Sequence, residues 1–238
     1  MNPKKFLTAE WRKLIMANYI VDPSVLQAYL PAKTEFDYFN SACYISLVGF
    51  MFKEVRVNGL KIPGHINFPE VNLRFYVRYF ENNEWKRGVV FINEIVPKPA
   101  ITFIANTLYK ENYSTLPMKH RWETVNDELI VSYHWKKKNK WNKLEVTSHI
   151  SSNLLIKNSE EEFITEHFWG YSVLTTDKTA EYHVAHPRWE IYKVKNYKIE
   201  CDFEGLYSKK FSFLQKEKPS SVFLAEGSHV TVFSKKIL

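Results

Sequence analysis

Glycine is scarce in this chain, at 7 of 238 residues. A dinucleotide-binding fingerprint needs three glycines within six positions, and no stretch of six holds three. Gly59 and Gly64 have the spacing of a phosphate-binding loop, but His65 and Ile66 follow where Lys and Ser or Thr are required, so a P-loop is excluded. Cysteine is almost absent. Cys43 and Cys201 lie far apart, and Cys43 sits in the apolar run CYISLVGFMF, where a free thiol behaves as a small buried hydrophobe. This usage points to a reducing compartment. Glu10, Arg12 and Lys13 interrupt the N-terminal segment before a signal-peptide core forms. No apolar run reaches the roughly 18 residues of a membrane-spanning helix. A cytoplasmic protein of bacterial type, with no membrane partner, is expected. No Gly-x-Ser-x-Gly elbow and no His-Glu-x-x-His or paired-cysteine signature occurs. His183 and His186, three apart in a strand-like segment, fall on opposite faces, so neither a metal site nor another cofactor is expected.

Aromatic residues are abundant, at 16%, and suit pleated, half-buried surfaces, which argues for a mainly β chain. The net charge is +7, yet its densest block, Lys136, Lys137, Lys138, Lys140 and Lys143, falls between the strand-like ELIVSYHW and KLEVTSHI. A hairpin tip is the simpler reading, and no nucleic-acid-binding motif accompanies the charge.

Asp22-Pro23 supplies a helix start and Pro31 a stop, so VLQAYL reads as a short helix. Residues 43–53 read as a strand, and VNLRFYVRY alternates with Val71, Leu73, Phe75, Val77 and Tyr79 on one face and Asn72, Arg74, Tyr76 and Arg78 on the other. GVVFINEIV is apolar on both faces and should be a central strand, with Glu94 sharing a face with Val90, Ile92 and Val96. Pro97-Lys98-Pro99 ends it, and Ala100, Ile101, Ile104, Ala105 and Leu108 take helical spacing. Beyond residue 120 short strands follow: ELIVSYHW, KLEVTSHIS, EEFITEHFW, YSVLT, AEYHVAH, RWEIYKV, KIECDFEG, SVFLAEG and HVTVFSK. The pattern predicts a single domain over 1–238, built as an antiparallel sandwich or barrel.

Glu94 is a carboxylate in apolar surroundings, suited to acid–base work or to a structural ion pair. Lys98 stands at the strand-to-helix turn, where a helix N-terminus disfavours the ammonium; a solvated loop lysine is the plainer account. Arg74 and Arg78 stand about 13 Å apart and would bind a carboxylate or phosphate if they faced a cavity. His186-Pro187-Arg188-Trp189, with Tyr171 in the segment GYS, could line the same pocket, against a cation stacked on Trp189 as structural glue.

The segments LVGFMF (47–52), NFPEVNLRFYVR (67–78), RGVVFINEIVP (87–97), HFWGYS (167–172), EYHVAHPRW (181–189) and EGSHV (226–230) resemble the YqjF-like family, a domain of unknown function. That resemblance implies a bacterial protein and a fold similar to acetoacetate decarboxylase: a closed, cone-shaped, largely antiparallel β-barrel with short peripheral helices and an internal cavity. In acetoacetate decarboxylases an acidic strand residue precedes Pro-Lys-Lys; the first lysine forms a Schiff base and the second lowers its pKa. Glu94, Pro97 and Lys98 are similar to that arrangement, with Pro99 in place of the second lysine. The reading is a barrel that binds a small anionic or oxygenated molecule near Arg74, Arg78, Glu94, Lys98, Tyr171, His186 and Arg188. A Schiff-base lyase acting through Lys98 and Glu94, and a non-catalytic scaffold or homo-oligomeric interaction protein, stand beside it.

Overall fold

The computed structural model describes residues 4–238, the side chain of Leu108 excepted. One sheet takes strands from both ends of the chain. They are β1 (Lys5–Val21), β2 (Glu35–Phe36), β3 (Cys43–Val57), β4 (Phe68–Glu81), β5 (Glu84–Val96), β6 (Tyr113–Thr115), β7 (Met118–Val125), β8 (Glu128–Lys137), β9 (Lys140–Asn153), β10 (Trp169–Val173), β11 (Thr179–Ala185), β12 (Ile191–Glu200), β13 (Ser221–Phe233) and β14 (Lys236–Ile237). The helices are single turns or little more: α1 (Pro99–Ile104), α2 (Glu160–Thr165) and α3 (Phe203–Leu206). None of the described helices is long and apolar enough to cross a membrane.

The strands run in the order β11-β10-β5-β4-β3-β1-β13, and β13 pairs back onto β11 through Val184 opposite Val232 and Ala185 opposite Thr231. The path of pairings therefore returns to its start. Most ladders are antiparallel; β10 and β6 pair with β5 in parallel. β12, β9, β8 and β7 continue from β13 as an arm.

Two apolar clusters occupy the two faces of this ring. One contains Ile45, Leu47, Val71, Leu73, Phe75 and Val90 and packs against Val131, Tyr133, Trp135 and Leu144 of the arm. The other contains Val48, Phe50, Phe52, Val89, Val184 and Val230 and faces inward. The strands of the ring are thus buried on both sides, and the polar residues of β4 do not form a solvent face: Glu70, Asn72 and Arg74 are buried.

Strand alternation alone would not keep these clusters filled, because several strands change parity midway. On β1 the inward residues are Ala9 and Trp11 before Lys13, and Leu14 and Met16 after it. Lys13 takes a φ of 54°, and the β1–β3 register shifts between Arg12 and Ile15. The Tyr133 hydroxyl, from the arm, donates to the Lys13 carbonyl at 2.8 Å and fixes that bulge. β13 makes the matching change at Gly227, paired with Arg12, with a φ of 80°. A bulge gives one strand an extra residue and turns the side chains beyond it to the other face.

Several elements differ from the sequence pattern. EEFITEHFW contains α2 rather than a strand. Ser159 caps it by accepting the Glu162 N–H at 3.1 Å, and three glutamates occupy its first turn, where the helix dipole favours negative charge. VLQAYL forms two 3-10 turns, Pro23–Val25 and Gln27–Tyr29. SVFLAEG and HVTVFSK are one strand, β13, bent at Gly227; RWEIYKV and KIECDFEG yield one strand, β12, and then α3. β7, hydrogen-bonded along β8, lies partly ahead of where the run of strands was expected to begin. The lysine block does form a hairpin tip, with Lys137 opposite Lys140.

A Cβ placed on Gly227 would lie 2.0 Å from the Trp11 carbonyl oxygen, in a left-handed conformation. Gly227→Ala is expected to cost about 2 kcal/mol or more of stability. Urea denaturation reads this directly, and an unchanged midpoint would show that the strand yields at that bend.

Candidate functional site

A cavity of about 160 Å³ lies against the inward face of β4 and β5 and is covered on one side by α1 and the turn after it. Trp11, Phe50, Phe52, Phe91 and Ile101 form its apolar wall. A connected group of polar residues forms the rest. From β4 come Glu70, Asn72 and Arg74, two residues apart and therefore on one face. From β5 comes Glu94, paired across the ladder with Asn72.

The face Glu94 takes is decided by a bulge. Leu73 pairs with Asn93 but Arg74 with Phe91, so Ile92 is an extra residue on β5. Glu94 consequently shares the inward face with Val89, Phe91 and Val96, while Val90 and Ile92 belong to the outer cluster. The sequence pattern had placed Glu94 with Val90 and Ile92; the bulge corrects it. Asn112 holds this irregular backbone: its side chain donates to the Ile92 carbonyl at 2.6 Å, and its carbonyl accepts from the Glu94 N–H at 3.0 Å and the Asn93 side chain at 2.6 Å. That places Glu111 and Tyr113, on either side of Asn112, at the cavity. Asn106, in the turn after α1, brackets Tyr113 by bonding both its carbonyl and its N–H.

Glu70 accepts from the Asn72 amide at 3.0 Å and from the Tyr113 hydroxyl at 3.1 Å. Arg74 donates to the Ile164 carbonyl at 3.4 Å, at the end of α2. His167, three residues on, borders the other side of the cavity, with its Nε2 3.0 Å from Asp37. Five buried polar atoms here have no hydrogen-bond partner among the described residues: Asn72 Oδ1, Arg74 Nε, Glu94 Oε2, Glu111 Oε1 and His167 Nδ1. Buried polar groups are normally satisfied, and these exceptions are concentrated along one cavity.

Burial raises all three carboxyls, Glu70 to about 7 and Glu111 to about 8, with Glu94 well above its ordinary value. For Glu94 the charges of Glu111 and Glu70 add to the effect of burial. Hydrogen bonds from Asn72 and Tyr113 and the Arg74 charge partly offset burial at Glu70. Burial likewise raises Tyr113 and Tyr182, which stay protonated donors. The cavity therefore presents carboxyls held well above their ordinary range, protonated phenols and one guanidinium. Among the described residues no three His, Cys, Asp or Glu side chains gather as a metal site would require.

Of the residues singled out in the sequence, Arg74 and Glu94 line this cavity. The others lie elsewhere. Lys98 is the half-buried N-cap residue of α1, outside the lining. Arg78 pairs with Glu35 at 2.7 Å and stacks over Trp85. The buried Tyr171 donates to Glu181 at 3.1 Å. His186 stacks on Trp189 with ring centres 4.3 Å apart, so it is the imidazole and not a cation that covers that indole. Arg188, half-exposed, pairs with Glu162. Glu70, Glu111, Tyr113 and His167 were not anticipated. Glu70 was within reach, being two residues from Asn72 on the alternating strand.

A sequence profile spanning residues 8–229 matches this chain. The chain belongs to the DUF2071 family. That family is described as an uncharacterized conserved protein. This DUF2071 member is 34% identical over 110 residues to the uncharacterized protein YqjF of Bacillus subtilis; the match covers 46% of this chain and 44% of that relative's length. Its fold is similar to that of acetoacetate decarboxylase from Legionella pneumophila, with a TM-score of 0.66 at 15% identity, covering 99% of this chain and 88% of that one. It is also similar to the enduracididine biosynthesis enzyme MppR complexed with pyruvate, with a TM-score of 0.68 at 12% identity, covering 100% and 91%. The fold is acetoacetate decarboxylase-like and mainly β.

Raised carboxyl pKa values set a pH dependence. From about pH 4.5, where unfolded carboxyls ionise, the folded chain still holds its protons. The stability this contributes is whole below that value and drains away as pH rises through 7 and 8. Glu111→Gln is expected to flatten the fall in urea midpoint between about pH 5 and pH 9. An unaltered slope would show that Glu111 does not keep its proton on folding.

Proposed function

We propose that this DUF2071 protein binds a small oxygenated carboxylic acid, of oxo-acid size, in the cavity between Arg74 and the Glu94–Glu111 pair. The ring of strands acts as a closed, cone-shaped barrel around it. The observation that carries this reading is the set of unpartnered groups, one guanidinium Nε and two carboxyl oxygens, lining an otherwise apolar cavity. A guanidinium recognises a carboxylate by charge-assisted hydrogen bonds. Neutral carboxylic acids in an apolar site donate hydrogen bonds to a carbonyl or hydroxyl oxygen. The volume, about 160 Å³, is close to that of an apolar cavity that takes up a single benzene molecule, so a ligand of six to eight heavy atoms or fewer fits. One fold relative was solved with pyruvate, which is of that size.

The lyase reading acts on the same class of molecule and is favoured by the fold likeness and by the sequence Glu94, Pro97, Lys98. It requires Lys98 to reach the ligand from the N-cap of α1. A scaffold working only through its surface gives no account of unsatisfied charged groups inside the ring, where each costs free energy.

Pyruvate and 2-oxobutyrate are expected to raise the melting temperature in a concentration-dependent way. Arg74→Gln is expected to weaken that binding by about tenfold or more, the worth of a hydrogen bond to a charged group. A flat melting profile across a panel of short carboxylates would count against the reading. Borohydride reduction with either acid, followed by peptide mass mapping, decides whether Lys98 forms an adduct.

A further inference from the structure

Arg74 lines the cavity together with two different kinds of proton-handling group. Its charge acts on the carboxyls of Glu70, on the same strand, and of Glu94 on β5. Toward α2 it lies against Ile164 and within reach of the field of His167. A carboxylate anchored on the guanidinium would therefore leave the remainder of the ligand in a cavity lined both by carboxyl groups and by an imidazole.

The imidazole is built in a single orientation. Its Nε2 bonds Asp37, while Tyr76 and Phe163 pack on the ring with centroids 4.8 and 5.0 Å away. Burial works against the Asp37 charge, but the hydrogen bond from His167 and then the Arg87 guanidinium hold that carboxyl below its ordinary value. An ionised carboxylate only accepts, so Nε2 carries the proton and Nδ1 bears the lone pair. The two ring nitrogens point apart. With Nε2 committed to Asp37, Nδ1 has no partner among the described residues, on a residue that borders the cavity and is 7% exposed. The charged groups around the ring are Asp37, ahead of β3, Arg87 on β5 and Arg74 on β4. Burial, reinforced by the two arginines, outweighs Asp37 and takes the imidazole down to about 4, which keeps it neutral. A ligand carboxylate on Arg74 cancels one of the two opposing charges and so makes the imidazole a stronger base on binding.

We infer that His167 Nδ1 is the base that removes a proton from the carbon beside the carbonyl of an oxo acid held on Arg74, with Glu94 as the acid that protonates the carbonyl oxygen. This rests on the ligand reading above. The C–H bond breaks and its proton passes to Nδ1. Its electron pair becomes the new C=C bond, the carbonyl π pair moves onto oxygen, and that oxygen takes the Glu94 proton. The product is the enol, with His167 cationic and Glu94 anionic; the reverse steps restore both. No cofactor and no amine are consumed. Asp37 is a positioning residue that sets the tautomer.

The test is exchange of the ligand's C–H protons with solvent. Pyruvate and 2-oxobutyrate are incubated with the protein in D2O and followed by proton NMR, while saturation-transfer NMR reports binding separately. Exchange is expected to exceed the protein-free rate by about a hundredfold or more, and His167→Gln to lose that excess while still binding. Binding without exchange, or undiminished exchange in the variant, overturns the inference and leaves the ligand reading intact. Absence of binding overturns the ligand reading and the inference with it. A borohydride-trapped adduct accompanying exchange assigns the proton loss to an imine and also overturns it. Should the variant fail to fold, nitrogen-15 NMR of histidine-labelled wild type decides: an unprotonated Nδ1 beside a protonated Nε2 supports the assignment, and the opposite tautomer overturns it.

Discussion

Three buried carboxyl groups share one cavity with a single guanidinium, and their mutual repulsion governs the chemistry of the interior. With one guanidinium among three carboxyls in its lining, burial and mutual repulsion oppose full ionisation. All three carboxyls are accordingly raised above their ordinary values. Glu70 has the most support, from the Asn72 amide and the Tyr113 hydroxyl. At Glu94 a hydrogen bond from Tyr113 and the Arg74 charge only partly offset burial and two acidic neighbours, and one oxygen has no partner among the described residues. The three carboxyls thus sit in unlike surroundings within one small space.

Holding such a cluster demands rigidity, and the architecture supplies it by burying the ring on both faces. The outer cluster packs the central strands against the arm of β8 and β9, so they are covered outside as well as inside. Tyr133 shows the link: it is part of the outer cluster, and its hydroxyl fixes the Lys13 bulge in β1, beside the inward-facing Trp11 and Leu14.

Much of the fold was legible. The alternation of β4, the doubly apolar β5, the abundance of aromatics and the proline that starts α1 are local signals, and they lead to a mainly β chain with short helices. The polar face of β4 was equally visible, but Asn72 and Arg74 look the same whether they meet solvent or a cavity, because alternation reports sidedness and not what lies on each side. Glu94 was recognised as a carboxylate in apolar company and assigned to the wrong face, since a one-residue bulge leaves no mark in a period-two pattern. Glu111 and His167 come from a turn and from the segment after α2, and only tertiary structure brings them to β4. Arg78, Tyr171, His186 and Arg188 carry the same chemistry on paper, yet each has a partner outside the cavity. Distance along the chain hid the true neighbours in both directions.

The bulges give the inner surface an unusual kind of adjustability. In a regular strand, changing which residues face the centre takes a substitution at every second position. Where an extra residue already sits in a bulge held from outside, as Ile92 is by Asn112, gain or loss of one residue re-aims everything beyond it while the partner strand keeps its ladder. Divergent proteins of this architecture can thus exchange whole polar inventories through single-codon insertions or deletions.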